Sequence, residues 1–142
     1  MKKILILTII AIAVLSCSDN DDNGNLNNCD FASIVSTEQY ENAPSDQLAI
    51  NSLEINGDCL KINFSASGCD GNSWALKLID SEHIFESFPP QRNLRLSFKN
   101  WEDSLAFITK ELTFDISNLQ VDGNKVQLNL TNSENLNILY EY

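Results

Sequence analysis

Ile55-Asn56-Gly57-Asp58, preceded by Leu48-Ala49-Ile50-Asn51-Ser52-Leu53-Glu54 and followed by Cys59-Leu60-Lys61-Ile62-Asn63-Phe64, decides the fold class. Asn-Gly between two apolar runs predicts a two-residue hairpin turn of type I′, in which both central residues take positive φ. After the turn, Leu60, Ile62 and Phe64 alternate with Lys61, Asn63 and Ser65, the period of a strand with one face inward. Before it, Leu48 and Ile50 fall out of phase with Leu53 and Ile55, which predicts a bulge near Asn51-Ser52.

The same period of two recurs along the chain. Trp74, Leu76 and Leu78 alternate with Ala75, Lys77 and Ile79, and Leu94, Leu96 and Phe98 with Arg95, Ser97 and Lys99. Val126, Leu128 and Leu130 alternate with Gln127, Asn129 and Thr131, while Leu136, Ile138, Tyr140 and Tyr142 close the chain. Val121-Asp122-Gly123-Asn124 predicts a second hairpin. Trp101, Leu105, Ile108 and Leu112 share a helical face that Asn100 could cap, yet the β-rich run Phe107-Ile108-Thr109 favours a strand. Gly68-Cys69-Asp70-Gly71 and Pro89-Pro90 mark loops, and Asp80-Ser81-Glu82-His83 reads as a polar turn. About eight short strands separated by turns predict a single antiparallel β-sandwich of immunoglobulin-like type over residues 29–142.

The N-terminus sets a destination. Lys2 and Lys3 precede an apolar run from Ile4 to Leu15, interrupted by Thr8, and then come Ser16 and Cys17. A dozen apolar residues fall short of the ~20 that span a bilayer, so this reads as a secretory signal. Val14-Leu15-Ser16-Cys17 resembles a bacterial lipobox, which implies a signal peptide over residues 1–16 and a lipid on Cys17. Cleavage there leaves 126 residues and, with Lys2 and Lys3 gone, takes the net charge from −11 to −13. So acidic a surface repels phosphate backbones and argues against nucleic acid. Attachment to the membrane is expected through acyl chains on Cys17, more than one of which is needed for stable anchoring.

Residues 17–28 form the lipid-bearing cysteine and an acidic tether, whose Ser18–Asn28 part is too polar to bury a core and is expected to be disordered. Acidic residues directly after such a cysteine resemble the surface-export signals of Bacteroidota lipoproteins, implying an outward-facing domain on the outer membrane. Asp19, Asp21, Asn23, Gly24, Leu26 and Asp30 also match EF-hand loop spacing. The flanking helices are missing, so a solvated linker is the better reading, and neither a metal nor a cofactor is expected.

Three cysteines remain after Cys17, which allows at most one internal bridge. Leu60–Ala66 as a strand is ~20 Å long. It therefore holds Cys59 and Cys69 too far apart for the ~7 Å that a bridge allows. A strand at Phe31–Val35 running antiparallel to Leu48–Ile55 would bring Cys29 to Cys59. That pairing is expected, with Cys29–Cys69 as its rival. A thiolate metal site lacks a CxxC motif, and His83 is the only imidazole.

Catalytic patterns are sparse. Any serine or cysteine triad would have to use His83, and the Glu102-Asp103 pair is as readily explained by solubility as by glycoside hydrolysis. The five glycines are dispersed and make no phosphate loop. Trp74 is expected in the core. Trp101, between Asn100 and Glu102, is the best single candidate for a binding contact. Asp103-Ser104-Leu105 resembles the Asp-Ser/Thr-apolar acceptor motif of Bacteroidota O-glycosylation, which makes Ser104 a candidate modification site.

Finally, CLKINFSASGCDGNSWALKLID (59–80), FPPQRNLRLSFKN (88–100), FDISNLQVDGNKVQLNL (114–130) and the terminal LYEY (139–142) resemble a group of small flavobacterial lipoproteins. That group has no assigned activity, so the resemblance implies location and fold but no catalytic residue. The expected function is a non-enzymatic, surface-anchored binding or accessory module for a protein or glycan partner. The alternative is a proteinase-inhibitor-like sandwich presenting Pro89 and Pro90 in the loop from Ser87 to Arg92, where two prolines lower the ordering cost of binding.

Overall fold

A computed structural model describes residues 28–134 and 136–142. The expected signal peptide, Cys17, all of the expected tether but Asn28, and every position of the EF-hand-like spacing except Asp30 lie outside the described residues. From Phe31 onward come β1 (Phe31–Ala32), β2 (Ile34–Val35), helix α1 (Thr37–Asn42), β3 (Ala49–Asn56), β4 (Cys59–Ser67) and β5 (Ala75–Phe85). They are followed by β6 (Gln91–Lys99), β7 (Phe107–Asp115), a 3-10 turn at Ser117–Leu119, β8 (Lys125–Leu130) and β9 (Asn137–Glu141). One sheet has the order β1-β7-β4-β3 and the other β2-β5-β6-β8-β9.

The two sheets pack as an all-β sandwich, and the alternating apolar residues supply its interior. Leu60, Ile62 and Phe64 of β4 and Phe114 of β7 meet Leu94, Leu96 and Phe98 of β6 and Val126, Leu128 and Tyr140, all essentially without solvent contact. Each such side chain contributes on the order of 1.5–3 kcal/mol by leaving water. Tyr140 keeps its polar end satisfied inside the sandwich, donating to Asp58 and accepting from Gln120.

Several finer expectations are corrected. The sheets are mixed: β1–β7, β2–β5 and β6–β8 pair in parallel. Within the second sheet β6, rather than its hairpin partner β5, flanks β8. The hairpin turn has Gly57 and Asp58 at its centre, with Asn56 facing Cys59. Only Gly57, at φ +61°, is left-handed there, which is the II′ pattern and needs glycine at that one position. The bulge falls where expected, between Ile50 and Ser52. The Asp122-Gly123 turn makes no hairpin, because it joins strands of different sheets.

Asp80–His83 is not a turn either. β5 runs on through it, and the register against β6 slips between Asp80 and Ile84. Glu82 there sits at φ +67°, and its carboxylate accepts from the N–H and hydroxyl of Thr37 at 3.1 and 2.7 Å. A long-range partner thus holds as a bulge what local polarity reads as a break.

Cys29 and Cys59 form a disulfide with Cα atoms 5.6 Å apart. The route differs from the antiparallel strand pairing expected for it. β1 lies beside β7, with Phe31 opposite Phe114, and the preceding residues fold over Thr113 to reach the start of β4. Asp30 fixes that crossing: its carboxylate accepts from Thr113 N–H and Oγ1, each at 2.8 Å.

Candidate functional site

The loops at the far end of β4 are organised by one carboxylate. Glu102 accepts hydrogen bonds from the backbone N–H groups of Cys69 (2.6 Å), Gly71 (3.0 Å) and Asp70 (3.2 Å), and from Ser73 Oγ (3.1 Å). Four residues of one loop, within five consecutive positions, thereby close around one anion. Burial works to raise the Glu102 pKa, but the amides of Gly71, Cys69 and Ser73 outweigh it and bring it to about 2. The sequence marks Glu102 only as half of an acidic pair; in three dimensions it clamps the loop between β4 and β5.

The clamp leaves little slack. A Cβ on Gly68 would run into Glu102 and the indole of Trp74, and one on Gly71 would lie 2.8 Å from Lys110 Cε. Trp74 fills the space beneath, edge-on to Phe98 at 5.3 Å, with Lys110 Nζ 5.5 Å from its ring. Asn100 secures the other side, donating to Ser67 O at 2.7 Å and accepting from the Glu102 N–H at 2.9 Å.

The connection from Asn100 to β7 holds apolar side chains in water. Trp101 is 64% exposed, Leu105 100% and Phe107 71%. Residues 101–106 form neither helix nor strand, and β7 starts only at Phe107. Ser104, half-buried on the same connection, stands next to the fully exposed Leu105. A shallow cavity of about 240 Å³ adjoins Phe107, bordered by Gln47, Ala49, Ser65 and Ser67.

Trp101 and the two prolines are not brought together. β6 carries the 86–90 hairpin loop at its start and Asn100-Trp101 just past its end, roughly 26 Å of strand apart. Pro89 and Pro90 are half-buried, and Ser87 Oγ donates to Pro89 O at 2.6 Å. Phe88, 92% exposed, is what projects from that loop. Cys69 is a free, exposed thiol beside the Glu102 clamp, and His83 lies exposed on the β5 bulge.

Fold and site define a β-sandwich domain with an aromatic rim at one end. No family model and no curated protein matches the sequence. Among solved structures, similar ones include a Bacteroides vulgatus protein of unknown function, DUF1344, with 17% identity and TM-score 0.51. Others are a NigD-like immunity protein from Bacteroides caccae (10%, 0.54) and a putative toxin-related protein from Parabacteroides distasonis (15%, 0.52). The matches cover 78–79% of this chain but 56–59% of those chains, so it spans less than two thirds of their length. At such identities the likeness shows the fold, shared with Bacteroidota proteins of unknown or immunity-like description.

Proposed function

We propose that this chain is a surface-exposed outer-membrane lipoprotein, held by lipid on Cys17, whose sandwich serves as a non-enzymatic binding or accessory module for a protein or glycan. The observation that carries this reading is the placement of the aromatic rim. The described chain begins at Asn28 beside the Cys29–Cys59 bridge at the start of β4, and β4 then runs nine residues to Ser67, which pairs with Phe107. A tether leaving the bridge end directs Trp101, Leu105 and Phe107 away from the attached side. Apolar side chains displayed in water on one end of a folded domain suit recognition, because covering them removes apolar surface from water.

The test is fractionation of cells producing the wild-type chain or the Cys17→Ala variant, with protease treatment of intact cells. Membrane-bound, protease-accessible wild type and released variant support the reading; unchanged detergent partitioning of the variant overturns it. A second reading, proteinase inhibition through the Ser87–Arg92 loop, draws on the exposure of Phe88. That loop follows the end of β5 remote from the aromatic rim, on the attached side of the domain, which favours the first reading.

A further inference from the structure

The free edge of β7 carries a more specific inference, which deepens the proposed binding role and rests on it. Asp115 O accepts from Ser33 N–H, and Thr113 N–H donates to Asp30, so the odd-numbered residues of β7 turn their backbone groups toward β1. Gly68 N–H bonds Ala106 O on the opposite side, which places the even-numbered residues toward β4. β1 pairs only with Phe114 and Asp115. Among the described residues, the N–H and C=O groups of Phe107, Thr109 and Glu111 therefore form an unpaired ladder ending at the aromatic rim.

Other edges are blunted. β3 is interrupted by its bulge, and β9 and β3 approach each other across the sandwich, which crowds both. β5 is covered by β2 and α1. The stretch Phe107–Glu111 is unbulged and continuous, the kind of edge that accepts an added strand.

Charge chooses the occupant. A second copy would meet a chain of net charge −11 like its own. Two-fold pairing about Thr109 would also set Lys110 opposite Ile108 and Glu111 opposite Phe107 of the other copy, so neither charge would meet a counter-charge. An extended segment bearing Lys or Arg instead meets exposed Glu111, whose contacts with Lys61 at 3.6 Å and Asn63 Nδ2 at 3.3 Å are both long, and exposed Asp103. We infer that the β7 edge from Phe107 to Glu111 binds an extended, basic segment of a partner protein by strand addition, with Trp101 and Leu105 gripping its apolar side chains.

The test pans a displayed library of random 12-residue peptides against the purified full-length chain, with amide hydrogen exchange followed by NMR. Expected are enriched peptides that alternate and carry Lys or Arg, and that protect the amides of 107, 109 and 111. Thr109→Pro removes one outward N–H and keeps the backbone bonds to β4, and should weaken binding about tenfold; Thr109→Val, which like it loses the hydroxyl contact with Ser65 Oγ but keeps the N–H, should not. Glu111→Lys, which leaves the backbone intact, should weaken the basic peptides in the same way. No enrichment, acidic consensus peptides, protection at β3 instead, self-association through this edge, or full binding by both Thr109→Pro and Glu111→Lys would each overturn the inference. Because the assay needs no membrane, its outcome is separable from the fate of the Cys17→Ala variant.

Discussion

Arg92 Nη1 lies 2.8 Å from Asp80 Oδ1, and both side chains are buried beside the β5 bulge. Between Asp80 and Ile84, three residues of β5 face a single residue of β6, and this slip brings Arg92, opposite Ile84, within reach of Asp80. The same Asp80 oxygen accepts the Glu82 N–H at 2.8 Å, which ties the pair to the strand distortion. Among the described residues, Asp80 Oδ2 and Arg92 Nε have no hydrogen-bond partner, so the pair is incompletely satisfied there.

Breaking that pair on one side should be costly. Arg92→Ala leaves a buried carboxylate behind and is expected to lose about 3–5 kcal/mol, whereas Asp80→Asn with Arg92→Met should lose much less. Urea unfolding of the three proteins checks this. Burial raises the Asp80 pKa against the pull of Arg92, so its contribution is present at low pH and lost as pH rises through its folded pKa.

Glu102 has the opposite sign. Its pKa is lowered from 4.5 to about 2 in the folded chain, so its contribution is complete above about 4.5 and fades as pH falls toward 2. Glu102→Gln should be less stable at pH 7 and should show a flatter fall in melting temperature across that acid window. Parallel curves for the two proteins would mean that the loop amides do not favour the ionised carboxylate.

The disulfide closes a separation of 30 residues. Chain-entropy reasoning assigns it about 3–4 kcal/mol, so Cys29→Ser with Cys59→Ser should lower the denaturant midpoint accordingly. In the unreduced wild type, alkylation and peptide mapping should label Cys69 and spare Cys29 and Cys59.

Gly71 has φ +68°, and an added Cβ would lie 2.8 Å from Lys110 Cε and 3.0 Å from Trp74 Cε3. Gly71→Ala should cost about 1–2 kcal/mol from backbone handedness alone, and steric pressure adds to it. Gly57→Ala meets the backbone penalty at φ +61° with open space around it. Thermal melts should therefore rank Gly71→Ala as the more damaging.

Local pattern reached far into this fold. Alternation at Leu60–Phe64, Leu94–Phe98 and Val126–Leu130 identified strands and their buried faces, because side-chain direction in a strand depends only on residue parity. The phase break at Asn51-Ser52 announced its bulge for the same reason. The Asp80–His83 bulge gave no such signal, since Thr37, more than forty residues away, is what holds it.

By itself, then, the sequence determined an acidic, strand-rich chain, most of its core residues and Trp101 as the best single candidate for a binding contact. Tertiary structure alone decided that β1 joins β7 in parallel, that β6 flanks β8, that Glu102 gathers the loop at Gly68–Ser73 and that, among the described residues, the β7 edge from Phe107 to Glu111 is left unpaired. The physical reason is range. Burial periodicity is written into each strand, whereas the partner of a strand edge or a buried carboxylate depends on groups brought together only when both sheets close.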